Sequence, residues 1–165
     1  MNYLILVRHG QSLWNLEKRF TGWADIDLTE KGKDEAKYAG QLIDKTNIKF
    51  DAYFSSFQKR AINTLKIILE VLNKKNSETV KAWQLNERHY GALTGLNKDE
   101  MIKKHGENQV QIWRRSFDTA PPPMDENHSL YPSCNKAYST IPPDKIPKSE
   151  SLKNTFERVM PYYEK

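Results

Sequence analysis

The residues with the clearest chemical potential are Arg8, His9 and Gly10, which directly follow the apolar segment 3–7. In open α/β sheets, ligands bind beyond the carboxyl ends of the strands, where this run falls if segment 3–7 is a strand. A neutral imidazole is a competent nucleophile near pH 7, and a neighbouring guanidinium suits two phosphate oxygens. A histidine after a strand is more often structural, so the residues alone leave both interpretations open.

Two further groups of charged residues have an ordinary interpretation on the sequence alone. Glu87 stands beside Arg88, which is typical of a surface ion pair. The adjacent Arg114 and Arg115 are typical of a basic patch on a helix. Two neighbouring guanidiniums also suit a small anion held by several donors at once, although a basic patch is the more frequent case.

The composition excludes several classes of protein. Hydrophobic residues make up 38% and charged residues 28% of the 165 residues, which is typical of a folded globular chain. No apolar run approaches the roughly 20 residues of a membrane-spanning helix, and segment 3–7 lacks the features of a signal peptide. We therefore expect no membrane partner. The single cysteine, Cys134, cannot form an internal disulfide, which fits the cytoplasm.

The charge balance favours a small anionic substrate over a nucleic acid. The net charge is +5, from 26 basic and 21 acidic residues, and the charges are spread along the chain without a long basic block. We expect no nucleic-acid partner. His105 and His128 show no metal-ligand spacing with each other or with Cys134, so no metal is expected.

The apolar patterns predict an α/β fold. Strands are expected at residues 3–7, 51–54 and 79–83. Helical spacing predicts a helix capped by Thr29, and others at about 58–72, 98–105, 107–117 and from about residue 150, the last with Leu152, Phe156 and Val159 facing inward. This order predicts a three-layer sandwich, a mostly parallel sheet covered by helices on both faces.

The segment 118–148 carries seven of the eight prolines and no steady periodicity. Too little chain follows it to form a second core, so it is interpreted as a long ordered loop or lid. Residues 1–165 are therefore expected to form a single domain.

The motifs together resemble a known family. Arg8, His9 and Gly10 are similar to the signature of the histidine phosphatase superfamily. Six segments resemble the phosphoglycerate mutase branch in particular: residues 8–15, 19–23, 28–32, 59–65, 85–98 and 113–117. The similarity extends over almost the whole chain, in the family's order. It implies a cytoplasmic glycolytic enzyme that interconverts 3-phosphoglycerate and 2-phosphoglycerate, primed by 2,3-bisphosphoglycerate and needing no metal.

The resemblance implies specific catalytic roles. His9 would accept the phosphoryl group and pass it to a monophosphoglycerate. Arg8 and Arg60 would hold the transferring phosphoryl oxygens, because the developing charge needs fixed cations where no metal is present. Glu87 would exchange a proton with the substrate hydroxyl.

The resemblance also implies a substrate-binding set around these residues. Its expected members are Gly10, Gln11, Ser12, Asn15, Thr21, Gly22, Arg88, His89, Tyr90, Lys98, Arg114 and Arg115. The partners implied are small phosphoglycerates, together with a second copy of the chain in a homodimer or higher oligomer of the full-length form.

One part of the family pattern has no counterpart here. Family members place a second catalytic histidine in an Ala-His-Gly-Asn-like turn after a later strand, and nothing after Arg115 matches it. We therefore expect the chain to be incomplete, with C-terminal strands absent. His9 should then lie beside a gap, and segment 3–7, apolar on both faces, should lack neighbours.

Two alternatives to a mutase stay open from the sequence. The first is a phosphatase of the same superfamily acting on a phosphorylated metabolite. The second is a catalytically impaired or truncated binding domain. Residues 86–98 and the pair Arg114 and Arg115 favour the mutase, because a mutase must retain its bisphosphorylated intermediate while it reorients.

Overall fold

The structure, a computed structural model, describes residues 2–165. Six α-helices are present in this part of the chain: α1 (Leu13–Leu16), α2 (Glu30–Asp44), α3 (Lys59–Val71), α4 (Lys98–His105), α5 (Glu107–Arg115) and α6 (Leu152–Tyr163). Two parallel two-residue strands, β1 (Phe54–Ser55) and β2 (Val80–Lys81), pair Phe54 with Val80 and Ser55 with Lys81. Short 3₁₀ turns lie at Trp83–Leu85, Gly91–Leu93, Pro132–Cys134, Lys136–Tyr138 and Pro143–Lys145. None of these helices is long and apolar enough to cross a bilayer.

Helix α2 shows how local sequence sets the elements that carry the site. The Thr29 hydroxyl accepts a hydrogen bond from the Gly32 amide at 3.1 Å, which caps the helix as expected. Gly32 lies so close to the loop at Gly10 that a Cβ on either glycine would overlap the backbone opposite. Further along, Gly40 packs directly on Val71 of α3, so the two helices approach closely.

The predicted sheet is the largest difference between expectation and structure. Segment 3–7 is not a strand: its residues are 37–85% exposed, and no backbone hydrogen bond to it occurs within residues 2–165. The other two predicted strands shrink to β1 and β2. A strand persists only where a neighbour completes its hydrogen-bond ladder, and here β1 and β2 pair only with each other. The chain is α/β but mostly helical, and the broad sheet is absent from residues 2–165.

Two apolar clusters hold the remaining structure together. One contains Phe20, Leu93, Met101 and Val110, and it joins the loop after α1 to α4 and α5. The other packs Trp23 against Tyr138 and Ile141. Through these two residues the segment 118–148 contributes side chains to the core, and the Tyr138 hydroxyl donates to the Trp23 carbonyl at 2.7 Å.

Helix α6 begins as predicted, but it presents a different face to the protein. Ser151 caps it in a reciprocal pair with Asn154. The expectation that Leu152 and Phe156 face inward is wrong, because they are 40% and 56% exposed. The inward side chain is that of Arg158, whose buried ion pair with a carboxylate fixes the rotation of the helix.

Candidate active site

His9 is placed by the contact between its own loop and two helices. The Gly10 amide donates to the Thr64 hydroxyl of α3 at 3.2 Å, and the Gly10 backbone rests on Gly32 of α2. His9 Nδ1 lies 2.7 Å from the Gly10 carbonyl oxygen, so Nδ1 carries the proton. The lone pair of the imidazole is therefore on Nε2, the atom that points away from the loop.

Arg60 and Glu87 meet at that nitrogen. Arg60 Nε donates to His9 Nε2 at 3.2 Å, and Arg60 Nη2 donates to Glu87 Oε2 at 2.8 Å. Glu87 Oε2 is 4.0 Å from His9 Nε2. The arginine thus bridges the imidazole and the carboxylate, three groups that are far apart in the sequence.

Arg60 is fully buried at the start of α3, and each of its three guanidinium nitrogens donates to an acceptor. Besides its two bonds at the site, Nη1 donates to the Ala24 carbonyl at 2.9 Å and Nη2 to the Gly22 carbonyl at 2.7 Å. The buried charge is balanced by Glu87. Such a cation keeps a fixed position at His9, as the expected role in holding phosphoryl oxygens requires.

The imidazole of His9 is held in its neutral form. Burial lowers the pKa of His9, and the charges of Arg60 and Arg8 lower it further. The hydrogen bond to Gly10 and the carboxylate of Glu87 act in the opposite direction. The net lowering leaves an unprotonated Nε2 near pH 7, which a nucleophile needs.

A polar cavity of ≈ 360 Å³ opens beside these residues. Its walls are formed by Arg8, Asn15, Arg19, Phe20, Thr21, Glu87, Tyr90, Lys98, Arg114 and Arg115. Five of these are basic and only Glu87 is acidic, so the cavity suits a small polyanion. Burial, and then the charge of Arg114, lowers the pKa of Lys98. The Thr21 hydroxyl is buried and has no hydrogen-bond partner among residues 2–165.

Most of the predicted site residues lie on the cavity wall or bond to it, and the others do not line the cavity. Those on the cavity wall are Arg8, Asn15, Thr21, Glu87, Tyr90, Lys98, Arg114 and Arg115, with His9 and Arg60 bonded to this group through Glu87. Gly22 supplies a carbonyl to Arg60. Gln11 accepts from Thr29, and Ser12 caps α1, so neither forms part of the wall.

Arg88 and His89 also lie behind the wall. Arg88 donates to the carbonyls of Trp113 and Arg114 at 3.1 and 2.7 Å, and its guanidinium stacks over Tyr90. His89 is 0% exposed, and its Nδ1 accepts from the Gly91 amide at 2.9 Å. Burial lowers the pKa of His89 to about 4. Both residues shape the cavity from outside it.

Arg19 is a wall residue that was absent from the predicted set. Its Nε donates to Glu17 at 2.7 Å and its Nη1 to the Gly95 carbonyl at 2.8 Å, and these two bonds hold the side chain at the cavity wall. The signal available in the sequence was its place two residues before Thr21 in the same motif. Within residues 2–165, no cluster of three or more His, Cys, Asp or Glu side chains could hold a metal ion.

Comparison with known proteins defines the class. The family described as the histidine phosphatase superfamily, branch 1, matches residues 4–141, so the chain belongs to it. The chain is 59% identical over 163 residues to the 2,3-bisphosphoglycerate-dependent phosphoglycerate mutase of Pelagibacter ubique, covering 99% of this chain and 68% of that protein. It is 55% identical over 164 residues to the protein of that name from Erythrobacter litoralis, covering 99% and 71%. Within branch 1 it belongs to this phosphoglycerate mutase family.

Solved structures agree on the fold. A mycobacterial glucosyl-3-phosphoglycerate phosphatase superposes with a TM-score of 0.69 at 21% identity, over 94% of this chain and 62% of that one. A Bacillus stearothermophilus protein gives 0.66 at 22% identity, over 95% and 63%. At these identities the likeness concerns the fold alone. The chain spans about two thirds of the length of its curated relatives.

Proposed function

We propose that this chain carries the phosphohistidine half of a 2,3-bisphosphoglycerate-dependent phosphoglycerate mutase site. The observation that carries the proposal is the orientation of His9: Nδ1 is tied to the Gly10 carbonyl, and Nε2 faces Arg60 and Glu87. The relatives named above, at 59% and 55% identity, support the choice of reaction.

The residues of the cavity fit a bisphosphorylated acid. Five basic side chains and the unpartnered Thr21 hydroxyl face one small volume, and a polyanion needs several such donors together. 2,3-Bisphosphoglycerate would supply the phosphoryl group that primes the histidine. Arg114, Arg115 and Lys98 would hold the carboxylate and the phosphate that is not transferred.

The chemical step follows from the contacts of His9. Nε2 would form the nitrogen–phosphorus bond while the bond from phosphorus to the substrate oxygen breaks. The proton would stay on Nδ1, which donates it in a hydrogen bond to the Gly10 carbonyl. Arg60 must first release Nε2, after which its Nε can donate to a phosphoryl oxygen instead. Arg8 would hold the same group from the other side. Glu87 would return or remove the proton of the substrate hydroxyl.

The remaining expectations belong to the same proposal. Phosphoglycerates are its substrates, no metal takes part, the cytoplasm is its location, and the full-length form is a homodimer or higher oligomer. Residues 2–165 lack the broad sheet, so we propose that the three-layer sandwich is completed only with further strands.

Labelling tests the proposal directly. On incubation with ³²P-labelled 2,3-bisphosphoglycerate, we expect an acid-labile, alkali-stable label that is lost in His9→Ala. His128→Ala is the matched control, because His128 is exposed and is not one of the residues that line the cavity. A label that persists in His9→Ala would contradict the proposal. Release of inorganic phosphate without formation of 2-phosphoglycerate would favour the phosphatase of the same superfamily.

A further inference from the structure

The backbone of Glu87 is held at both of its polar groups by buried side chains. Gln58 Oε1 accepts from the Glu87 amide at 3.2 Å, and Trp23 Nε1 donates to the Glu87 carbonyl at 2.7 Å. Gln58 and Trp23 are 2% and 1% exposed. The side chain of Glu87, by contrast, is 34% exposed at the cavity. Its position there is therefore set through its backbone.

Helix α6 reaches the same stretch of backbone through Arg158. Arg158 Nη1 donates to the carbonyl oxygens of Gln84 at 2.8 Å and Asn86 at 3.2 Å. Longer contacts of 3.5 Å join Nη1 to the Trp83 carbonyl and Nη2 to the Glu87 carbonyl. One guanidinium thus faces four carbonyl groups that converge just before and at Glu87.

Glu150 fixes that guanidinium and also bonds to the backbone of His89, two residues after Glu87. Its carboxylate accepts from Arg158 Nε at 2.6 Å and from Nη2 at 2.8 Å, a two-pronged pair whose side chains are only 7% and 3% exposed. Glu150 Oε2 also accepts from the His89 amide at 2.8 Å, and the Glu150 amide donates to the His89 carbonyl at 2.9 Å. We call Arg158 and Glu150 the α6 clamp.

The chemistry of this contact requires arginine. Converging carbonyl dipoles need several donors in a fixed plane, which a guanidinium provides and a single ammonium does not. The ring of Trp23 covers the guanidinium at 5.5 Å and keeps water away from it. All the backbone acceptors of Arg158 lie within residues 83–87, the stretch that ends at Glu87.

We propose that Arg158 and Glu150 are positioning residues that hold the Glu87 carboxylate against Arg60 and His9 from the opposite side of the wall. The inference rests on the acid–base role of Glu87 proposed above. Neither residue of the clamp lines the cavity. Its effect must therefore pass through the backbone of residues 84–89.

The first experiment follows the pH titration of the His9 imidazole by NMR, which needs no turnover. Burial and the hydrogen bond to Gly10 act on the pKa of this ring, and the charged groups that act on it are Arg60, Glu87 and Arg8, of which only the Glu87 carboxylate raises the pKa. Arg158→Lys should lower the pKa of His9 by at least half of the lowering caused by Glu87→Gln. The double variant should show little further change, because both substitutions remove one interaction.

The control is Lys153→Met, an exposed position on the same helix, which should leave the titration unchanged. If a folded Arg158→Lys protein shows the same pKa of His9 as the wild-type protein, the proposal is overturned. Arg158 would then serve only to attach α6 to the rest of the protein. Glu150→Asp keeps the charge and shortens the reach by one methylene. If Arg158→Lys does not fold, Glu150→Asp decides the matter by the same criterion.

The second experiment separates this inference from the proposed function. In the full-length enzyme, Arg158→Lys should lower kcat by up to about 10²-fold, the scale of a small misplacement, with KM within a few fold. If wild-type protein is not labelled at His9, the proposed function fails, while the titration still decides the clamp. A KM effect with unchanged kcat would overturn the clamp and leave the function standing.

Discussion

The surroundings of Glu87 and the segment 3–7 differ in how completely this chain supplies their partners. Around Glu87, each guanidinium nitrogen of Arg60 donates to an acceptor, and the Glu87 backbone is held by Gln58, Trp23 and Arg158. Segment 3–7 is apolar on both faces, yet it has no ladder partner within residues 2–165. The polar site is therefore built by side chains of α3, α6 and the loops. Segment 3–7, which leads into His9, has no strand neighbours within residues 2–165.

The broadest expected effect, on both stability and rate, comes from supplying those neighbours. Extending this chain with the C-terminal third of the Pelagibacter ubique relative should raise both the melting temperature and the mutase rate. A gain of about 10²–10³ in rate corresponds to one recovered donor to the phosphoryl oxygens. Thermal melting and a coupled assay of 3-phosphoglycerate conversion measure the two effects. Equal melting and equal rate at the two lengths would remove the contrast between the regions.

Leu6→Lys sharpens the same comparison. Leu6 is 85% exposed here, so the substitution should change the free energy of unfolding by no more than about 0.5 kcal/mol. In the extended chain the same change should destabilise by several times as much, because a lysine would then be forced into a covered strand. A large cost already in the short chain would mean that segment 3–7 is buried in solution.

The next prediction separates the residue proposed to transfer a proton from a residue proposed to bind substrate. Glu87→Gln should lower turnover by about 10²–10⁴-fold and leave KM within a few fold, since it removes a proton transfer. Arg115→Ala should mainly raise KM, because it removes binding shared by ground and transition states. Steady-state kinetics of the extended enzyme measure both, with Glu107→Gln as the exposed control. Identical behaviour of the two variants would refute the assigned roles.

A further effect, away from the cavity, is a pH dependence of stability from His89. Its pKa is about 4 in the folded state against 6.5 for an ordinary histidine, so the unfolded chain binds the proton more readily between these values. Stability contributed by the neutral ring is therefore lost as the pH falls from about 6.5 toward 4, by about 3 kcal/mol. Urea denaturation across this range measures the loss.

A matched pair of variants isolates that contribution. His89→Asn should flatten the pH dependence while retaining an acceptor for the Gly91 amide. His128→Asn should not flatten it, although His128 Nδ1 likewise accepts a backbone amide two residues on. The two histidines differ in burial. If the free energy of unfolding depends on pH equally in both variants, burial of His89 is not the cause of the loss of stability at low pH.

The helices were predictable because their signals are local. Thr29 and its first turn mark the start of α2, and the apolar spacing of residues 62–72 marks α3. The expectation that residues around His9, Arg60 and Glu87 share a site came from the family resemblance, and the structure brings these three together.

The features that escaped prediction depend on contacts distant in sequence. Segment 3–7 has the composition of a strand, but composition does not say whether a partner exists. The inward rotation of α6 depends on Arg158 meeting carbonyls some seventy residues earlier, and a backbone acceptor leaves no trace in the residue pattern. The apolar spacing of Leu152 and Phe156 therefore predicted the wrong face.

The close contact of Gly10 with Gly32 has a consequence for genetics. A Cβ on Gly10 would overlap the Gly32 backbone and a Cβ on Gly32 would overlap the Gln11 backbone, so neither position accepts a side chain unless the loop moves away from the helix. A random screen for loss of function should therefore return substitutions at Gly32 as often as at Gly10, although Gly32 lies in a helix outside the catalytic set. Such alleles would resemble lesions of His9 itself, and a suppressor that restores one of them should map to the loop opposite.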